Sequence, residues 1–148
     1  MACRAARRLR ARLGRRGAFL AILGTGKTAY GAGFILAPQQ HTEGLHLLTD
    51  MCSLRSWAWL WILCGLVTLG SAFLRVGRDR WGYIAALIPP TVWAIAYAAA
   101  AVSGHYSRGA VVAIWYLTSH CGVIMWAATV PEHSVPPPPR RPRRSEGA

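Results

Sequence analysis

The sequence predicts an all-α fold: a bundle of four transmembrane helices, both termini cytoplasmic, with a short interfacial helix in the first outer loop. Three observations predict it. Four apolar blocks of 19 to 22 residues punctuate the chain, and a helix needs roughly 20 residues to cross the hydrocarbon core. Hydrophobic residues make up 53% of the 148, yet the formal net charge is +12, so apolar surface and charge are segregated along the chain. Arginine then sorts between alternate connections, which a soluble helical bundle has no reason to do.

Residues 1–17, MACRAARRLRARLGRRG, form a basic arm with seven Arg. Leu9 and Leu13 stand four apart, so the arm can lie as an amphipathic helix on anionic lipid. Each Arg near such a surface contributes about 1 kcal/mol. A nucleic-acid arm is the sharper alternative, but interleaved aromatics and a fold motif to support it are missing.

The first block, residues 18–37, reads AFLAILGTGKTAYGAGFILA. Arg15-Arg16 ahead of Phe19-Leu20 is similar to a twin-arginine signal. The apolar run is too long for one, Lys27 interrupts it, and three more blocks follow, so an uncleaved span is expected. Ala21, Thr25, Ala29, Gly33 and Ala37 repeat every four residues as a ridge of small side chains. Gly24, Thr28 and Ala32 make a second ridge, and another helix can lie close on either.

In the outer loop Pro38 to Arg55, the residues Leu45, Leu48, Met51 and Cys52 recur at helical spacing, with Thr42 as N-cap. That is the interfacial helix. His41, Glu43, His46 and Asp50 share the loop and read as a solvated polar face, without the ligand set a metal needs. The second block, 56–74, opens with Trp57, Trp59 and Trp61 at the outer interface. The third, 82–102, is entered through Trp81 and Tyr83 at the inner one. Pro89-Pro90 within it predicts a helix kink and frees the carbonyls of Ala85 and Ala86. The fourth, 109–130, carries His120 at its middle and Trp126 near its inner end. Residues 131–148, rich in Pro and Arg, read as an extended, disordered tail that fixes topology, with adaptor binding as the alternative.

The arm, the connection between blocks two and three, and the tail hold seven, three and four Arg. The other two connections hold only Arg55 and Arg108. Positive residues favour the cytoplasmic face, which places both termini inside a multi-pass protein of the cell membrane.

Ala21 to Thr28, AILGTGKT, matches a relaxed phosphate-binding loop with Ala21 for its first Gly. Such a loop joins a buried strand to a helix N-terminus, so that backbone amides meet the phosphates. Here the motif lies inside an apolar span, and no soluble α/β domain can be built around it. Nucleotide binding is therefore excluded. Lys27 is left about 13 Å deep along its helix, near the midplane. A central Lys costs roughly 2.5 to 3.5 kcal/mol on insertion scales and calls for partners. His120, Thr91 and Thr68 lie at comparable depth. The expected arrangement is an intramembrane polar layer of Lys27, His120, Thr91 and Thr68, with freed backbone carbonyls as acceptors. The bland alternative has Lys27 snorkelling to the inner headgroups.

Several chemistries are missing from the sequence. No membrane carboxylate is present for proton-coupled export. No second intramembrane His is present to pair on haem. Cys3, Cys52, Cys64 and Cys121 form no Cys-x-x-Cys and are separated by topology, so a structural disulfide is not expected. No cofactor, metal or enzymatic activity is expected.

The stretches SWAWLWILCGLVT, AFLRVGRDRWGY and AIWYLTSH, with VPEHSVP near the end, resemble small four-span membrane proteins of actinobacteria and their phages. The likeness covers roughly residues 17 to 135. It implies architecture more than activity, with a lysis or envelope role in a phage setting. The expected function is a structural or accessory membrane protein acting through self-association. A holin-like or small channel-forming protein is the alternative, and a transporter with Lys27 at an anion site a third reading. Expected partners are the bilayer, anionic lipid at the Arg-rich inner face, and further copies of the chain.

Overall fold

The computed structural model describes residues 2–37, 43–75 and 77–131, with side chains from Gly14 onward. Every regular element among them is helical. Helix α1 (Ala2–Leu36) is followed by α2 (His46–Met51), α3 (Leu54–Ser71) and α4 (Arg80–Val102). Helix α5 (Gly109–Thr129) completes the bundle and contains a π-helical turn, Tyr116–Gly122. Four stretches are long and apolar enough to cross a membrane: Gly14–Leu36, Leu54–Ser71, Arg80–Val102 and Gly109–Thr129. Each overlaps one predicted block to within a few residues at either end. The predicted tail beyond residue 131, and Thr42 with His41, lie outside the described residues.

Gly14 separates the basic arm from the first span. Its backbone (φ 60°, ψ −172°) is non-helical and interrupts α1. Only glycine reaches that region without strain. The short α2 begins at His46 with Leu45 in the N-cap position, where no side chain caps it. Leu45 and Leu48 are buried, and the Trp57 indole donates to the Leu48 carbonyl at 2.8 Å, so α2 is tied to α3. Ser53 caps α3 by accepting from the Ser56 amide, which satisfies one of the helix's free N-terminal donors.

The spans follow one another around the bundle. Helix α1 packs along α3, α3 against α4, and α4 against α5, whereas the backbone of α1 comes close to α5 only at Val123–Thr129. Above that contact the two backbones part and leave a seam, which the Tyr30 and Tyr116 side chains bridge. Buried side chains form two clusters. One gathers Phe34, Trp61, Trp93 and Tyr116 near α2; the other gathers Leu20, Tyr83 and Ile124 at the opposite end.

The α1–α3 contact uses the second of the two small-residue ridges. A Cβ at Gly24 would lie 2.5 Å from the Leu69 amide nitrogen and 2.7 Å from the Gly65 carbonyl oxygen. Thr28 in turn faces Gly65. The first ridge is left outside, where Thr25, Ala29, Gly33 and Ala37 are all exposed. Small residues let membrane helices approach closely enough for dispersion to hold them.

One of the three tryptophans placed at the outer interface does not sit there. Trp61 is buried and packs edge-on against Trp93 at 5.3 Å. Trp57 is half-buried against α2, and Trp59 alone of the three is exposed. Position along a helix sets depth, but azimuth decides whether an indole faces lipid or core.

Candidate functional site

At the closed end of the seam an ion pair joins three spans. Arg16 Nε donates to Asp79 Oδ2 at 2.7 Å. Its Nη1 donates to the carbonyls of Ala128 (2.8 Å) and Val130 (3.1 Å), and the guanidinium lies over the Tyr83 ring. Asp79 Oδ1 accepts from the Gly77 amide. The start of the first span, the α3–α4 connection and the end of the fourth span are fastened together. The planar guanidinium suits this, since it presents several donors in a fixed fork.

Above that clamp the open seam forms a cavity of about 400 Å³, lined by Ile22, Leu23, Gly26, Lys27, Tyr30, Trp61, Trp115, Tyr116 and His120. Lys27 is only 3% exposed. Its ammonium stands 4.8 Å from the centroid of the Trp61 ring, a cation–π contact. Neither Lys27 Nζ nor Trp61 Nε1 has a hydrogen-bond acceptor among the described residues. The wall behind Trp61 is rigid, because Tyr30 and Trp93 pack edge-on against its two sides at 4.6 and 5.3 Å.

The facing wall is built by the π turn. In that turn bonds run i→i+5, so residues five apart share a face. Trp115 and His120 therefore meet, with ring centroids 4.8 Å apart, and Tyr116 flanks the imidazole at 5.1 Å. His120 Nδ1 lies 3.0 Å from Ser119 Oγ. The Ser119 hydroxyl donates to the Trp115 carbonyl, so it is not held as a nucleophile for the imidazole to activate.

Of the four residues expected in one polar layer, Lys27 and His120 line the same cavity. Thr91 does not reach the lining. Its hydroxyl donates to the Leu87 carbonyl at 2.8 Å and lies 3.5 Å from Cys121 Sγ. Thr68 is fully buried between α3 and α4, donating to the Cys64 carbonyl at 2.7 Å with the Gly82 carbonyl at 3.2 Å. Helix α4 runs unbroken through Pro89-Pro90, both fully buried. The expectation that freed carbonyls serve Lys27 fails, since Nζ has no acceptor at all among the described residues. The threonines instead satisfy themselves on their own helices, as membrane-embedded hydroxyls do.

Sequence reasoning missed Tyr30, Trp61, Trp115 and Tyr116 as cavity walls, and Arg16 and Asp79 as a clamp. Asp79 carried a signal: it is the acid of RVGRDR, set among three Arg next to a membrane face. No family model, curated protein or solved structure matches this chain.

Proposed function

We propose that the chain is a non-enzymatic accessory protein of a bacterial cell membrane, with both termini cytoplasmic, acting through association of its own copies. The observation that carries the topology is the coincidence of four spanning helices with arginines sorted fourteen to two between alternate connections. The resemblance to four-span proteins of actinobacteria and their phages supports an envelope setting. Self-association is supported by the outer ridge of α1, where a Cβ at Gly33 would meet nothing within 4 Å. A ridge of this kind, apolar and shallow, is where a second membrane helix gains close contact.

A channel is the second reading. The bundle axis of a single chain is filled by Leu20, Trp93 and Ile124, each fully buried. Conduction would thus need several copies arranged about a common opening.

Cross-linking tests the association. Gly33→Cys in a Cys3→Ser, Cys52→Ser background should form a disulfide-linked dimer in oxidised membranes, whereas Ile95→Cys on an exposed face of α4 in the same background should not. Equal cross-linking at both positions, or at neither, would count against the α1 interface. Reconstituted vesicles separate the two readings: retained dye supports the accessory role, and rapid leakage the channel.

A further inference from the structure

We infer that the seam cavity binds a single-chain anionic amphiphile, its carboxylate on Lys27, its hydrocarbon tail leaving between α1 and α5. The inference rests on the membrane placement and holds for an accessory protein or a channel alike.

Lys27 and Trp61 both line the cavity, and among the described residues neither Lys27 Nζ nor Trp61 Nε1, both buried, has a partner. Leaving a buried donor unmade costs about 1 to 3 kcal/mol, and more when it is charged. The Trp61 face offsets about 2 kcal/mol at a desolvated site. The effective cost of burying an ion is several kcal/mol, so one aromatic face does not cover it. No Asp or Glu lies within a span, since Glu43, Asp50, Asp79, Glu132 and Glu146 are all outside them, and Lys27 Nζ has no acceptor among the described residues. An oxygen anion from outside would give Lys27 the acceptor it lacks.

Charge and shape narrow its class. One ammonium matches a monoanion, and a carboxylate is the compact oxygen monoanion that a charge-assisted hydrogen bond suits. The volume lies within the range of small-molecule sites, and the other walls are mainly apolar or aromatic, Ile22, Leu23, Trp115 and Tyr116, with Tyr30 and the His120 imidazole completing them. Ile22 and Trp115 are exposed at the rim, so the mouth opens sideways, where lipid tails run. Lys27 stands near the middle of the Gly14–Leu36 span. A phospholipid keeps its charged headgroup at the interface, whereas a single-chain acid can reach that depth as the uncharged acid.

The test uses the purified full chain in nonionic detergent and dibromostearic acid, whose bromines quench tryptophan at short range. Quenching should saturate, and oleic acid should reverse it while methyl oleate does not. In Lys27→Met the affinity should fall about tenfold or more, the loss of a charge-assisted hydrogen bond. Lys27→Arg, which keeps the charge, should retain displacement by oleic acid. Unsaturable quenching, equal displacement by methyl oleate, an unchanged Lys27→Met, or displacement by phosphatidylglycerol but not by oleic acid would each overturn the proposal. Should Lys27→Met lose its helical circular dichroism, the oleic acid against methyl oleate comparison on the native chain decides.

Discussion

Gly24 and Gly33 lie on one helix and serve opposite purposes. An added methyl at Gly24 would press on the backbone of Leu69 and Gly65, which cannot give way as a flexible side chain would. Gly24→Ala should therefore push α1 off α3 and cost about 1 to 3 kcal/mol, the usual range for overpacking. Gly33→Ala meets open space and should leave stability unchanged or raise it by up to about 1 kcal/mol through helix propensity. Thermal melts of the two variants in the same detergent check the contrast. A second residue-scale expectation concerns the clamp. Asp79 is 5% exposed at its side chain and Arg16 15%, so Asp79→Asn removes one charge from a nearly buried ion pair. The expected loss is about 3 kcal/mol, against less than about 0.5 kcal/mol for Arg78→Ala on the exposed connection. Similar melting points for both variants would show the pair to be solvated.

At the scale of elements, the π turn in α5 makes the sharpest prediction. It holds one residue more than an α-helix would between the same flanking turns. Deleting the exposed Thr118 should convert it to α-helix without rotating Gly109–Trp115 relative to Val123–Thr129. Deleting Ile95 from regular α4 would instead turn everything beyond it by roughly 100° about the axis. The Thr118 deletion should melt close to the native chain and the Ile95 deletion should fail to assemble, which size-exclusion profiles of the two would reveal. The spans themselves were legible because length and hydropathy are summed over about 20 residues and survive local detail. The π turn was not, because no residue type encodes it; it exists in the ladder of hydrogen bonds. That Lys27 and His120 stand near the middle of their helices was legible from counting along them. Their shared cavity, and the absence of Thr68 from it, depended on azimuth and packing. Trp61 shows the same limit: a rim position by count became a core wall by rotation. The Arg16–Asp79 pair spans 63 residues, and only the assembled bundle brings them together.

For the whole molecule, orientation is the property on which the rest hangs. Arginines at the Arg16 end and in the flanking arm and tail weight that end heavily, and a cytoplasmic leaflet rich in anionic lipid would hold it there. The opposite end carries α2, His46 and His105, with the two imidazoles 5.5 Å apart, and little positive charge. Cys52 is exposed at that end, whereas Cys64 and Cys121 are buried. A membrane-impermeant maleimide applied to intact cells should therefore label the chain at one position, and Cys52→Ser should abolish that label. Permeabilising the cells should then add Cys3 in the basic arm. Labelling of Cys52 only after permeabilisation would reverse the topology. The seam cavity would survive such a reversal, since it opens towards the bilayer and not towards either aqueous side. The expected attraction of the basic arm to anionic lipid would not, because its charge would then face the leaflet poorer in such lipid. Orientation and ligand binding are thus separable by experiment, one read from a thiol at the rim and the other from an amine at the midplane.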